Sequence, residues 1–112
     1  MTAIHVLAIS SEPLTRRILN RFVRRFGYSA RIVANELDAL DALDDTMFDA
    51  MIIDAGTIDL DVWHFVKLVR MGRLGIEPLP IIALGSESDA RELDELDAEA
   101  VLTKPLAPRA LH

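Results

Sequence analysis

The sequence predicts a doubly wound α/β domain on a five-stranded parallel sheet, and three observations carry that prediction. Short apolar runs alternate with longer amphipathic patterns from one end of the chain to the other. The runs are apolar on both faces, as parallel strands are when helices cover each side of the sheet. The length of 112 residues suits one domain, 1–112, with 51% hydrophobic residues to form its core. Strict strand–helix alternation then selects right-handed crossovers.

The first strand is expected over residues 4–9, ahead of Ser10, Ser11 and Pro13. A helix follows over 13–26, where Leu14, Ile18, Phe22 and Phe26 recur every fourth residue and Leu19 and Val23 widen the stripe. Ser11 is the expected N-cap, Pro13 suits the first turn and Gly27 suits the helix stop. A second strand covers 29–33. Asn35 then caps an acidic helix over 36–45, with Leu37, Leu40 and Leu43 on its buried stripe. Residues 50–53 form an apolar third strand ending in Asp54. The third helix is read over 60–71, the fourth strand over 80–84, a short fourth helix over 88–96 and a fifth strand over 100–102. Only residues 106–112 follow Pro105, so a fifth helix is expected to be truncated or missing.

Composition narrows the function. A net charge of −6 gives no reason to expect nucleic acid or an anionic membrane as partner. The chain has no cysteine, which excludes disulfides and thiolate metal sites and suits a reducing, cytoplasmic compartment. No apolar run reaches membrane-spanning length, and the N-terminus lacks the basic and long apolar regions of a secretion signal. There is no glycine-rich phosphate loop and no metal-ligand spacing among His5, His64 and His112. Trp63 and Phe65 are read as packing residues.

In a doubly wound sheet the working crevice lies at the carboxyl ends of the strands. The residues there are Ser10, Ser11, Asp54, Gly85, Ser86 and Lys104. A carboxylate and an ammonium beside a core are tolerated chiefly as a pair. A strand-end carboxylate facing a lysine is also a nucleophile that can accept a phosphoryl group. From Asp54 and Lys104 alone, a plain ion pair that stabilises the sheet edge is the simpler account.

The wider pattern adds to this. FDAMIIDAG around Asp54, LTKPL around Lys104, EPLTRRIL opening the first helix and ANELDALDAL in the second occur in order and in strand context. Over essentially its whole length the chain resembles the receiver domain of bacterial two-component response regulators. The resemblance implies a flavodoxin-like sheet of order 2-1-3-4-5, with Asp54 as the phosphoacceptor and Lys104 as its ion-pair and phosphoryl partner. It also implies a histidine kinase, a phosphotransfer protein or an output domain as partner, and no classical enzyme activity.

The departures from that pattern are equally informative. The two acidic residues that follow the first strand in the family, and help bind Mg²⁺, are Ser10 and Ser11 here. Magnesium demands hard, preferably anionic oxygen ligands. That leaves Asp54, the Gly56 carbonyl, Ser11 and the neighbouring Glu12 as candidates, and the expectation is no cofactor or weakly bound Mg²⁺. The family's Ser/Thr after the fourth strand aligns with Gly85, with Ser86 next to it. The switch aromatic aligns with Val101, and the methionine–proline pair after the acceptor becomes Thr57 and Ile58.

Two readings of this degenerate receiver-like chain follow. In one it is a pseudo-receiver acting by protein–protein interaction; in the other it is an unconventional receiver, still phosphorylated on Asp54. A small flavodoxin-like enzyme is disfavoured because no catalytic base adjoins a nucleophile. Arg16, Arg17, Arg21, Arg24 and Arg25 make the first helix basic, as either a docking face for an acidic partner or simply a solvated face. A sheet face lacking its last helix predicts a homodimer through that face, or a longer chain that covers it.

Overall fold

The computed structural model describes residues 4–57, 61–71, 79–86 and 100–103. The expected helices over 88–96 and after Pro105 lie outside these residues, and so does the expected homodimer through an uncovered sheet face. In chain order the described elements are β1 (His5–Ile9), α1 (Pro13–Arg25), β2 (Ser29–Val33), α2 (Glu36–Asp45), β3 (Ala50–Asp54), α3 (Val62–Arg70), β4 (Ile81–Gly85) and β5 (Ala100–Thr103). All neighbouring strands pair in parallel, in the order β2-β1-β3-β4-β5. This is the doubly wound sheet expected from the alternation, in the flavodoxin-like strand order that the resemblance implies.

The pleat divides the core between the two faces. Leu7, Ile9, Met51, Ile53, Ile81 and Ala83 point to one side, where α2 and α3 cover them with Ala39, Ala42, Leu43, Val62, Phe65, Val66 and Val69. Val6, Ala8, Ile52 and Leu84 point to the other, against Leu19 and Val23 of α1. Both faces are therefore dry, which is why the strands read as unbroken apolar runs. No helix among the described residues is long and apolar enough to cross a membrane.

The first two helices bury part of each expected stripe, while residues at one or both of its ends turn outward. In α1 the buried residues are Thr15, Leu19, Phe22 and Val23, while Leu14 and Phe26, at 59% and 45% exposure, face outward. A ladder of fourth residues gains about 40° on each step of a 3.6-residue turn, so its two ends rotate off the contact line. In α2 the buried set is Ala39, Ala42 and Leu43, with Leu40 half-buried and Leu37 70% exposed. There the ladder of third residues lags in the opposite sense, and Leu37 is the residue carried out of contact. Ala39 and Ala42, fully buried, present no bulk beyond a methyl group and so let the helix axis approach the sheet closely.

Helix ends follow local chemistry. Asn35 accepts the Asp38 amide at 2.8 Å, as expected of the cap of α2. Asp61 likewise caps α3 by accepting the His64 amide at 3.1 Å, so that helix begins at Val62 and not at Leu60. The N-cap of α1 is Glu12, not Ser11, and its carboxylate accepts the hydroxyl of Thr15. At the other end, Gly27 has φ of 80° and donates to the Arg24 carbonyl, while the Tyr28 amide reaches Val23. This is the double C-terminal closure that favours glycine at the left-handed position.

The stripe assignment is testable by truncation. Leu43→Ala should cost about 2–5 kcal/mol in urea unfolding, whereas Leu37→Ala should stay within about 0.5 kcal/mol. Equal losses would place Leu37 in the core after all.

Candidate functional site

The register that builds the sheet also builds the site. β1 and β3 lie side by side with Ile9 opposite Ile53, so the residues that follow, Ser10 and Asp54, emerge together at the carboxyl end. Asp54 is 1% exposed and Ser10 is fully buried. A carboxylate this dry is tolerated only with hydrogen-bond donors on its oxygens. The Ser10 hydroxyl donates to Asp54 Oδ2 at 2.6 Å, and the Gly56 amide donates to Oδ1 at 2.9 Å. The first contact is at the short end expected for a hydroxyl on an ionised carboxylate.

Ser10 is engaged at every polar group. Its amide donates to the Val33 carbonyl at 3.0 Å, tying the end of β1 to the end of β2. Its carbonyl accepts from Arg16 Nη1 at 2.9 Å, and its hydroxyl oxygen accepts the Glu12 amide at 3.2 Å. The hydroxyl proton is thereby directed at Asp54. On the other side, a tight turn returns the chain after β3: the Thr57 amide donates to the Asp54 carbonyl and Ala55 donates to Leu84 on β4. Thr57 is itself buried, and its hydroxyl has no hydrogen-bond partner.

Of the residues singled out from the sequence, the structure brings Ser10, Asp54 and the Gly56 amide together. Ser11 is half-buried beside them, and Glu12 is exposed with its carboxylate on Thr15. Gly85 closes β4 one residue beyond the partner of Asp54 and is buried, with Ser86 exposed after it. Val101 lies on β5 in register with Ala83. Lys104 falls outside the described residues, and so does its expected pairing with Asp54. Two contacts were not legible in the sequence: the Ser10–Asp54 hydrogen bond itself and the anchor of Arg16 on the Ser10 carbonyl. Each joins residues by three-dimensional proximity, with no motif spacing to announce it.

The donor set fits Mg²⁺ poorly. Asp54 supplies a carboxylate whose Oδ2 already receives the Ser10 hydroxyl, and Ser10 and Ser11 contribute no charge. Among the described residues, no three His, Cys, Asp or Glu side chains gather in one place.

Comparison with known proteins agrees with this geometry. No family model matches the chain. It is 25% identical over 109 residues to the sensor histidine kinase RcsC of Salmonella typhi, covering 95% of this chain and 11% of that protein. The chain thus spans about a tenth of the length of the curated relatives it matches. Among solved structures, the chemotaxis response regulator CheY4 of Vibrio cholerae is 27% identical with a TM-score of 0.83, covering 98% of this chain and 93% of that one. The receiver domain of the Saccharomyces cerevisiae response regulator Ssk1, solved with the phosphotransfer protein Ypd1, shares the fold at a TM-score of 0.80, with 21% identity over 97% of this chain and 83% of that one. In fold and in sequence, the chain is similar to the response-regulator receiver domains of two-component systems.

Proposed function

We propose that this chain is a pseudo-receiver: a signalling module that works by protein–protein interaction, with Mg²⁺-dependent phosphorylation of Asp54 weakened. The observation that carries the reading is the buried hydrogen bond from Ser10 to Asp54 Oδ2. In an intact receiver the resemblance places acidic metal ligands after β1. Here a neutral hydroxyl occupies that place and satisfies the carboxylate from within the protein. Replacing like charge with a donor removes the crowding that a divalent ion normally relieves. Both Asp54 oxygens then receive donors from within the protein, so the resting site resembles a structural hydrogen-bond centre more than a phosphoryl acceptor awaiting its cation.

Partners are those that the relatives suggest: a histidine kinase, a phosphotransfer protein or an attached output domain, acting in the cytoplasm. RcsC is itself a histidine kinase, and Ssk1 was solved bound to a phosphotransfer protein. The second reading, an unconventional receiver phosphorylated on Asp54, draws on the position of that carboxylate at the strand end beside the Gly56 amide. Lys104 and Ser86 would then hold the phosphoryl group, and Asp54, the Gly56 carbonyl, Ser11 and Glu12 any weakly bound Mg²⁺.

Acetyl phosphate with Mg²⁺ separates the two. Intact-mass measurement should show no added phosphoryl group; a gain that disappears in Asp54→Asn would establish the unconventional receiver instead. Removing the donor by Ser10→Ala should cost about 1–3 kcal/mol, because the buried carboxylate loses one of its hydrogen bonds. Substituting both serines, Ser10→Asp with Ser11→Asp, should lower the melting temperature without metal and make it rise on adding Mg²⁺. The unsubstituted chain should show no such rise, and an equal response in both would mean that the serines do not govern metal binding.

A further inference from the structure

Away from the strand-end site, the face of α1 that overlooks β2 carries an unusual concentration of charge. The chain holds more acids than bases, 18 against 12, yet five of its arginines lie on this one helix. Among the described residues the ion pair is Arg31–Asp45, on the opposite side of the sheet, and no arginine of α1 meets a carboxylate. Like charges a turn apart on a helix repel one another, so an uncompensated row of this kind is unfavourable unless something anionic answers it.

The row borders an open groove. Arg16, Asn20 and Arg24, each four residues from the next, form one wall with Arg17 beside them, and the half-buried side chains of Ala30 and Ile32 form the floor. The groove holds about 370 Å³ and is broadly open to solvent. Two guanidinium groups are held in place. Arg24 Nε donates to Asn20 Oδ1 at 2.8 Å, and Arg16 Nη1 donates to the Ser10 carbonyl at 2.9 Å. Each of these arginines spends one N–H of its five on that contact and keeps the others for a ligand. Forked, pre-oriented donors of this type match the oxygens of phosphate.

We propose that the groove between α1 and β2 is a binding site for a small, multiply charged phosphate. Its oxygens bridge Arg16, Arg17 and Arg24, and any carbon portion rests on Ala30 and Ile32. Forked guanidinium donors set above a small apolar floor suit a small phosphate, and an acidic peptide is the competing outcome of the test. Arg16 also makes the site a neighbour of the strand-end centre, since the Ser10 whose carbonyl it holds is the residue that donates to Asp54.

Titration followed by amide NMR, at constant ionic strength, tests this with inorganic pyrophosphate and ADP as separate probes. Saturable shifts centred on Asn20, Ala30 and Ile32 are expected from at least one probe. Response to both marks the phosphate as sufficient, and response to ADP alone assigns a role to the organic part. Arg17→Ala with Arg24→Ala should weaken binding at least about tenfold, or 1.4 kcal/mol, while the rest of the spectrum shows the fold intact. Three outcomes overturn the proposal: no saturable shift from either probe, shifts that persist in the double variant, or binding of an acidic peptide in the absence of any phosphate response.

Discussion

A parallel sheet must be covered on both faces, and most of this molecule follows from that requirement. Its strands contribute apolar side chains to two separate cores, one under α2 and α3 and one under α1. A polar side chain in the middle of such a strand would lose its water with nothing to replace it. Polar chemistry is therefore confined to the places where strands stop. The parallel pairing makes the carboxyl ends of all the strands coincide, so residues far apart in sequence, such as Ser10 and Asp54, meet there.

That setting governs the character of the Asp54 carboxylate. It is buried as deeply as the core leucines but receives a hydroxyl and an amide on its two oxygens. A hydrogen bond to a charged group contributes about 1.5–3 kcal/mol, more than a neutral one, and the low local dielectric raises what is lost when a donor is removed. The serine that supplies the first donor is fastened through its amide, its carbonyl and its hydroxyl oxygen. Its rotamer is set by neighbours, so the donor is already aimed. Such an arrangement fixes the ends of β1 and β2 around the buried carboxylate.

Charge is distributed with the same regard for topology. Residues 30 and 32 of the edge strand face α1, whereas Arg31 faces α2 and pairs with Asp45 there at 3.3 Å. The acidic side chains of α2 and the arginines of α1 consequently lie on opposite sides of the sheet, too far apart to neutralise one another directly. An exposed ion pair such as Arg31–Asp45 adds little stability on its own. Among the described residues, the separation keeps the arginines of α1 and the acids of α2 on different faces of the sheet.

Much of the architecture was legible in the sequence. Strand and helix order, parallel pairing, the N-cap at Asn35, the helix stop at Gly27 and the position of Asp54 at the end of a strand all follow from local pattern. Each depends on the backbone preferences or burial of residues close together in the chain. The facing of the helices was not legible, because Leu14, Leu37 and Phe26 are as apolar as the residues that are buried; only the docking of each helix on its sheet decides which side is covered. The meaning of Ser10 was also hidden. By itself the serine reads as a missing metal ligand, while in the fold it is the hydrogen-bond donor to Asp54, 44 residues away. That contact exists because two parallel strands in register end side by side, a relation between distant segments that no local pattern of residues encodes.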